Sequence, residues 1–138
     1  MCGQKEGSEL RNLHSRILDS LPYRLRDIGI SFEDVHWVLR EGVYQPNGRI
    51  EEFPDLIAFL NKCKKQKRNF EAIPIELKTG KKNKTDRSKA IHQLYQGAEF
   101  ARTLQRSIVE YGLLVTAESE NNLEFERIPY SEMEKLCR

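Results

Sequence analysis

Three cysteines and the absence of long apolar runs exclude several classes of protein. Cys2, Cys63 and Cys137 are odd in number, widely spaced and without a CxxC pair, which argues against a disulfide framework or a structural zinc site. No apolar run approaches the roughly 20 residues that cross a bilayer, and the polar first residues lack the apolar centre of an export signal. We therefore expect a cytoplasmic, intracellular protein that keeps its thiols reduced and makes no membrane contact.

The net charge is also small, but charge is unevenly distributed along the chain. The 138 residues carry a formal net charge of +2. Residues 61–90 contain eleven lysines and arginines against three acids, whereas residues 107–138 contain three against seven. A basic centre with an acidic end fits a protein that presents one face to a polyanion, although a lysine-rich turn is more often only a solvated loop.

The first half of the chain predicts a helix followed by a β-meander. Leucines and isoleucines at helical spacing predict a helix over residues 8–20 that ends at Leu21-Pro22. Alternating apolar residues then predict three strands, which lie at residues 35–44, 49–60 and 70–78 and are joined by an Asn47-Gly48 turn and the lysine-rich segment 62–68.

The second half predicts a long helix and one or two further strands. The helix starts at Asp86 or Ser88 and runs to about Leu104, and small residues such as Gly97 would let it pack close to the sheet. A buried strand at 108–117, an edge strand at 123–128 and a short helix at 131–136 follow. The order predicts a single α/β domain over residues 1–138, with a mixed sheet of about four to five strands flanked by helices on both faces.

Residues that could carry chemistry are concentrated on two of the predicted strands. Asp55 stands at the head of one strand, after Pro54, and Glu76 and Lys78 stand two residues apart in the next. Residues two apart in a strand point to the same face, so Glu76 and Lys78 lie side by side while Leu77 is on the opposite face. Because a short connection joins the two strands, we expect them to pair and to bring Asp55 to the same place.

This group of residues suits phosphodiester hydrolysis, which needs an activated water and positive charge near the phosphate. Carboxylates are the ligands that Mg²⁺ or Mn²⁺ prefers. Asp55 and Glu76 would bind the metal together with the carbonyl of Leu77, and Lys78 would orient or deprotonate the attacking water. The alternative is that these charges belong to a half-exposed strand and a turn and carry no chemistry.

The spacing of these residues resembles the PD-(D/E)xK nuclease superfamily. Pro54-Asp55 is followed 21 residues later by Glu76-Leu77-Lys78, and the run over residues 74–82 is most similar to the RecB-like branch of that superfamily. The resemblance implies a restriction-endonuclease-like core and a metal-dependent nuclease that uses Mg²⁺ or Mn²⁺.

The same resemblance implies further residues around the metal and the substrate. In the family a histidine or glutamate on the first helix acts as a metal ligand, and His14 and Glu9 are the candidates here. On a helical wheel His14 lies about 55° and Glu9 about 85° from the centre of the apolar stripe, so His14 is nearer the sheet. The family's glutamine, which helps to position the substrate or the catalytic lysine, corresponds to either Gln93 or Gln96.

Basic residues after the Glu76 strand indicate a nucleic-acid partner. Lys81, Lys82 and Arg87 lie at the same strand end as Lys78, so we expect them to contact phosphates without regard to base sequence. DNA is the favoured substrate. RNA cleavage, a Holliday-junction resolvase acting as a homodimer, and a nucleic-acid-binding module without catalysis remain open, as does the viral or plasmid origin that so small a domain would suit.

Overall fold

The computed structural model describes residues 2–40, 53–61, 70–80, 84–103 and 106–137, and it describes side chains from residue 13 in the first range and from residue 87 in the fourth. The elements in chain order are α1 (Cys2–Arg24), β1 (Val35–Arg40), β2 (Leu56–Leu60), β3 (Glu71–Thr79), α2 (Lys84–Thr103), β4 (Tyr111–Ser119), β5 (Asn122–Pro129) and α3 (Tyr130–Cys137). Two short 3₁₀ turns, Leu25–Ile28 and Phe32–Asp34, connect α1 to β1.

The five strands form one mixed sheet in the order β1-β2-β3-β4-β5. The pairs β1–β2, β2–β3 and β4–β5 are antiparallel, whereas β3 and β4 are parallel. Parallel neighbours need a long crossover, and α2 supplies it between β3 and β4. The predicted α/β class with a mixed sheet of four to five strands is therefore confirmed.

Helices cover both faces of this sheet, because β2 and β3 are apolar on both sides. On one face α1 packs through Ile17, Leu18 and Leu21 against alternate strand residues that include Leu56, Ala58, Ile73, Ile75 and Leu77. On the other face α2 and α3 pack through Leu94, Ala98 and Met133 against the intervening residues, which include Ile57, Phe59, Ala72 and Leu114. No helix within the described residues is both long enough and apolar enough to cross a bilayer.

The prediction that α1 ends at Leu21-Pro22 is wrong, because the helix continues through Pro22 to Arg24. Proline removes one helical hydrogen bond and crowds the preceding turn. Leu21 and Leu25 on either side of it are both fully buried against the sheet. Packing of this last turn outweighs the local cost of the proline.

The predicted start of β2 is also wrong within the described residues. Residues 53–55 lie outside the strand, which begins at Leu56. Pro54 has no amide hydrogen to donate, and the amide of Asp55 donates instead to the side chain of Glu76. The remaining residues of that prediction, 49–52, and residues 41–44 of the previous strand lie outside the described residues.

Other boundaries also differ from the prediction, and α1 begins at Cys2 rather than at residue 8. Helix α2 begins at Lys84, which is two residues before the predicted cap at Asp86. Strand β4 begins at Tyr111 rather than at Ile108, which makes only an isolated bridge with Glu71. Local patterns locate such elements well, but their ends depend on tertiary contacts.

Candidate active site

Two reciprocal hydrogen bonds join Asp55 to the strand that carries Glu76. The amide of Asp55 donates to Oε1 of Glu76 at 3.0 Å. In return, the amide of Leu77 donates to Oδ2 of Asp55 at 2.9 Å. Each carboxylate thus binds the main chain of the other segment, so the residues of the two motifs lie in direct contact although 21 positions separate them.

Lys78 completes the predicted group. Its Nζ lies 3.2 Å from Oε2 of Glu76, and its side chain is 29% exposed whereas that of Glu76 is 4% exposed. Glu76 and Lys78 project from the same side of β3, as the two-residue period requires. A buried carboxylate is therefore linked to a lysine whose side chain reaches solvent.

The pKa values of the neighbouring carboxylates of Asp55 and Glu76 are shifted in opposite directions. Burial, the negative charge of Asp55 and the hydrogen bond with Asp55 raise the pKa of Glu76 to about 9, and the ammonium of Lys78 only partly offsets this. Burial also disfavours the charged form of Asp55, but hydrogen bonds from His14, Glu76 and the amide of Leu77 outweigh it and lower the pKa of Asp55. At neutral pH these opposite shifts favour a pair that shares one proton, with Glu76 as its preferred carrier.

His14 reaches the same place from the other face of the sheet. Its Nε2 lies 3.3 Å from the carbonyl oxygen of Leu77 and 3.5 Å from Oδ2 of Asp55. The neighbouring turn of α1, with Ile17 and Leu18, is buried against the sheet and holds the histidine there. Glu9, the other first-helix candidate, belongs to α1, but its side chain lies outside the described part of the chain.

Three potential metal ligands converge at this point: Nε2 of His14, Oδ2 of Asp55 and the carbonyl oxygen of Leu77. Adjacent ligands of a six-coordinate Mg²⁺ with bonds of 2.0–2.1 Å are about 3 Å apart, which is close to the spacing observed here. Among the described residues, no group of three or more His, Cys, Asp or Glu side chains is arranged to hold a metal ion. The convergent set differs from such a group because one of its members is a main-chain carbonyl.

The close approach of α2 to the sheet identifies which helix residues lie near the site. A Cβ added to Gly97 would lie 2.5 Å from Cγ of Pro54 and 3.2 Å from Cβ of Pro74. Gly97 therefore packs directly against Pro54, the residue before Asp55, and against Pro74 of β3, which confirms the prediction that small residues allow this helix to approach closely.

Helix geometry then distinguishes the two candidate glutamines. Helix α2 runs antiparallel to β3, because it connects two parallel strands. Four helical residues advance about 6 Å and two strand residues about 6.6 Å, so Gln93 lies level with Glu76. Gln93 is buried, and it projects within about 40° of Gly97, whereas half-buried Gln96 projects about 100° away.

Of the three residues predicted to bind phosphate, only Arg87 lies within the described residues. Arg87 donates to Oε2 of Glu126 in β5 at 2.5 Å, so its guanidinium is held on the β5 side of α2. Lys81 and Lys82 lie outside the described residues. Lys89, an exposed residue of α2 one turn before Gln93, was not among the predicted phosphate-binding residues. The four-residue spacing to Gln93 was the signal that could have identified it.

No protein-family model matches this chain. No curated protein and no solved structure is significantly similar to it either. Function is therefore inferred from the geometry of the site and from the short motifs around Asp55 and Glu76.

Proposed function

We propose that this protein is a metal-dependent nuclease that hydrolyses phosphodiester bonds of DNA. The observation that carries the proposal is that reciprocal main-chain hydrogen bonds bring two buried carboxylates, Asp55 and Glu76, to one place, with Lys78 bound to the second. This arrangement is the one that the PD-(D/E)xK resemblance implies.

The buried carboxylates support the proposal because they are short of positive charge. Asp55 and Glu76 are 9% and 3% exposed, and among the described side chains the cationic or ionisable groups beside them are the ammonium of Lys78, at Glu76, and the imidazole of His14, at Asp55. A buried carboxylate without full compensation by positive charge is costly, and this cost raises the pKa of Glu76. Such a pair of oxygen ligands suits a divalent cation.

His14, Asp55 and the carbonyl of Leu77 would hold the cation, with Glu76 beside them. A bound Mg²⁺ or Mn²⁺ would lower the pKa of a water molecule and offset negative charge on the phosphate. Nε2 of His14 faces two acceptors, the Leu77 carbonyl and the Asp55 carboxylate, so it carries a proton there and would have to lose that proton to act as a ligand.

Lys78 would act on the attacking water and on the reacting phosphate. Its ammonium is anchored by Glu76 yet remains partly exposed, so it can donate to a water or to a phosphate oxygen beside the carboxylates. An aligned donor of this kind stabilises the negative charge that develops in the transition state. Lys78 is thus the residue whose loss should affect catalysis most and folding least.

The fold is consistent with the restriction-endonuclease-like core that we assign to it. The two motifs lie on and beside adjacent antiparallel strands, and the helix that follows Lys78 returns across the sheet to a parallel strand. This topology leaves Asp55, Glu76 and Lys78 between α1 and α2, where both helices can contribute residues.

Cleavage assays test this function directly. Labelled single-stranded DNA, duplex DNA and RNA are incubated with the protein in Mn²⁺, Mg²⁺ or EDTA, beside Lys78→Ala and Lys135→Ala. Lys135 is an exposed lysine of α3 and serves as a matched control. We expect DNA cleavage that requires the metal, is lost in Lys78→Ala and is retained in Lys135→Ala.

Two other outcomes would change the proposal. Metal-dependent cleavage of RNA but not of DNA would identify a ribonuclease with the same site. No cleavage of any substrate, together with no heat of Mn²⁺ binding by calorimetry, would refute the nuclease and favour a nucleic-acid-binding module.

A further inference from the structure

Helix α2 has two long sides that face different parts of the molecule. Gly97 marks the line along which the helix contacts Pro54 and Pro74. At about 100° per residue, Lys89 projects about 80° to one side of that line and Arg87 about 80° to the other. The two basic residues are only two positions apart, yet they point in nearly opposite directions.

Contacts with the sheet show which side of α2 faces β4 and β5 and which side faces β2. A Cβ on Gly112 of β4 would lie 3.4 Å from Cβ of Leu94, and Leu94 is on the Arg87 side of the helix. Arg87 itself binds Glu126 of β5. The opposite side, which carries Lys89 and Gln93, therefore faces Asp55 and β2.

Along the direction of β3, Lys89 also lies level with the candidate active site. Gly97 is level with Pro74, and each step of four residues towards the start of α2 moves about two residues along β3. Gln93 is thus level with Glu76 and Lys89 with Lys78. Lys89 is exposed, and it forms no ion pair with any side chain that the structure describes.

We propose that Lys89, on this side of α2, binds the sugar–phosphate backbone of the substrate by contacting a phosphate next to the one that is cleaved. The inference rests on the proposed nuclease function and adds a binding surface to it. The ionised carboxylate of Asp55 repels a phosphodiester, and Lys78 is held beside Glu76. Lys89, which forms no ion pair with a described side chain, supplies attraction for the phosphate on this side of the site.

The contact would be electrostatic and independent of base sequence. Each phosphate contact by a lysine contributes roughly one unit to the slope of log binding constant against log salt concentration. Loss of Lys89 should therefore weaken binding by about 5- to 10-fold at moderate salt and reduce that slope by about 1. In cleavage, KM should rise while kcat changes little, because the contact exists before and during the reaction.

The test measures binding of a fluorescently labelled DNA oligonucleotide to the full chain by anisotropy in EDTA, over a range of salt concentrations. The variants are Lys89→Ala, Lys89→Arg, Arg87→Ala and Lys135→Ala. We expect Lys89→Ala to show weaker binding and a lower slope, Lys89→Arg to restore both, and Arg87→Ala to lose less than Lys89→Ala. Lys89 is exposed on α2 and its truncation should leave the thermal melting curve unchanged.

Equal binding and equal salt slopes for Lys89→Ala and the wild-type protein would overturn the inference, as would a larger loss in Arg87→Ala than in Lys89→Ala. The proposed function is judged separately, by metal-dependent cleavage in the wild-type protein. Cleavage with an unchanged KM in Lys89→Ala would leave the nuclease intact and refute the surface. Binding that depends on Lys89 without any cleavage would refute the nuclease and retain the surface.

Discussion

The amide of Asp55 donates a hydrogen bond to Oε1 of Glu76 over 3.0 Å, in a place where both side chains are nearly inaccessible to solvent. This bond fixes Glu76 against the chain segment that carries Asp55, and the amide of Leu77 returns a bond to Asp55. The same two carboxylates thus shape the local backbone and form the centre of the candidate active site. For each of these carboxylates, a substitution that keeps its hydrogen bonds but removes its charge separates its structural role from its chemical role.

Replacement of Glu76 by glutamine should change how stability depends on pH. The pKa of Glu76 is raised to about 9 from an ordinary value of 4.5. In the folded protein the proton stays bound over this interval, whereas the unfolded chain releases it, so stability is full below about pH 4.5 and falls as pH rises towards 9. Glu76→Gln remains neutral throughout.

In EDTA, we therefore expect the melting temperature of Glu76→Gln to match the wild type near pH 5 and to exceed it increasingly towards pH 9. Circular dichroism melts at several pH values measure this difference. Parallel curves for the two proteins would show that Glu76 is ionised in the folded protein at neutral pH.

Metal binding should release a proton. A divalent cation bound beside Asp55 and Glu76 favours the ionised form of Glu76, so the proton that it holds at neutral pH is lost to the buffer. Calorimetric titration with Mn²⁺ in two buffers of different ionisation enthalpy should give different apparent heats. Asp55→Asn and His14→Ala should weaken the binding, and identical heats in the two buffers would contradict the displacement of a proton.

Substitutions of Asp55 should separate folding from catalysis. Asp55→Ala removes the acceptor of the buried Leu77 amide and should lower the free energy of unfolding by about 1–3 kcal/mol. Asp55→Asn keeps an acceptor oxygen in that position and should unfold close to the wild type, yet it should not cut nucleic acid. Denaturant unfolding and cleavage assays on both variants check this, and cleavage by Asp55→Asn at the wild-type rate would remove Asp55 from the site.

Gly97→Ala should destabilise the protein although alanine favours helix formation. The added methyl group would lie 2.5 Å from Cγ of Pro54 and 2.8 Å from its Cδ, so either α2 or the Pro54-Asp55 segment must move. We expect a loss of about 1–3 kcal/mol in the free energy of unfolding and reduced cleavage, because Asp55 shifts with Pro54.

Ser88→Ala, an alanine substitution at an exposed position of the same helix, is the control for Gly97→Ala. Ser88→Ala should leave the free energy of unfolding and the rate of cleavage near the wild-type values. A Gly97→Ala protein that is more stable than the wild type, by about 1 kcal/mol, would mean that helix propensity dominates and that the contact is looser than the distance implies.

Much of the architecture was decided by the sequence, because it follows from local periodicity. Strand residues two apart share a face, which placed Glu76 and Lys78 together and Leu77 opposite them before any tertiary contact was known. Helical spacing likewise predicted α1 and α2 and the side of α1 on which His14 lies. The mixed sheet then followed from the order of the elements.

Tertiary structure alone decided how distant residues meet. The continuation of α1 through Pro22 depends on burial of Leu25, and the late start of β2 depends on the bond between Asp55 and Glu76. Both features depend on contacts between residues that are far apart in sequence. A local sequence pattern carries no information about such contacts.

The same limit applies to the surroundings of the site. The sequence does not distinguish Gln93 from Gln96, whereas the docking of Gly97 against Pro54 and the burial of Gln93 favour Gln93 as the glutamine nearer Glu76. Arg87 has the charge to bind a phosphate, but it binds Glu126 instead, because the rotation of α2 on the sheet directs it towards β5. Sequence determined which side chains were present, whereas the position and rotation of the packed helices determined which of them face the carboxylates.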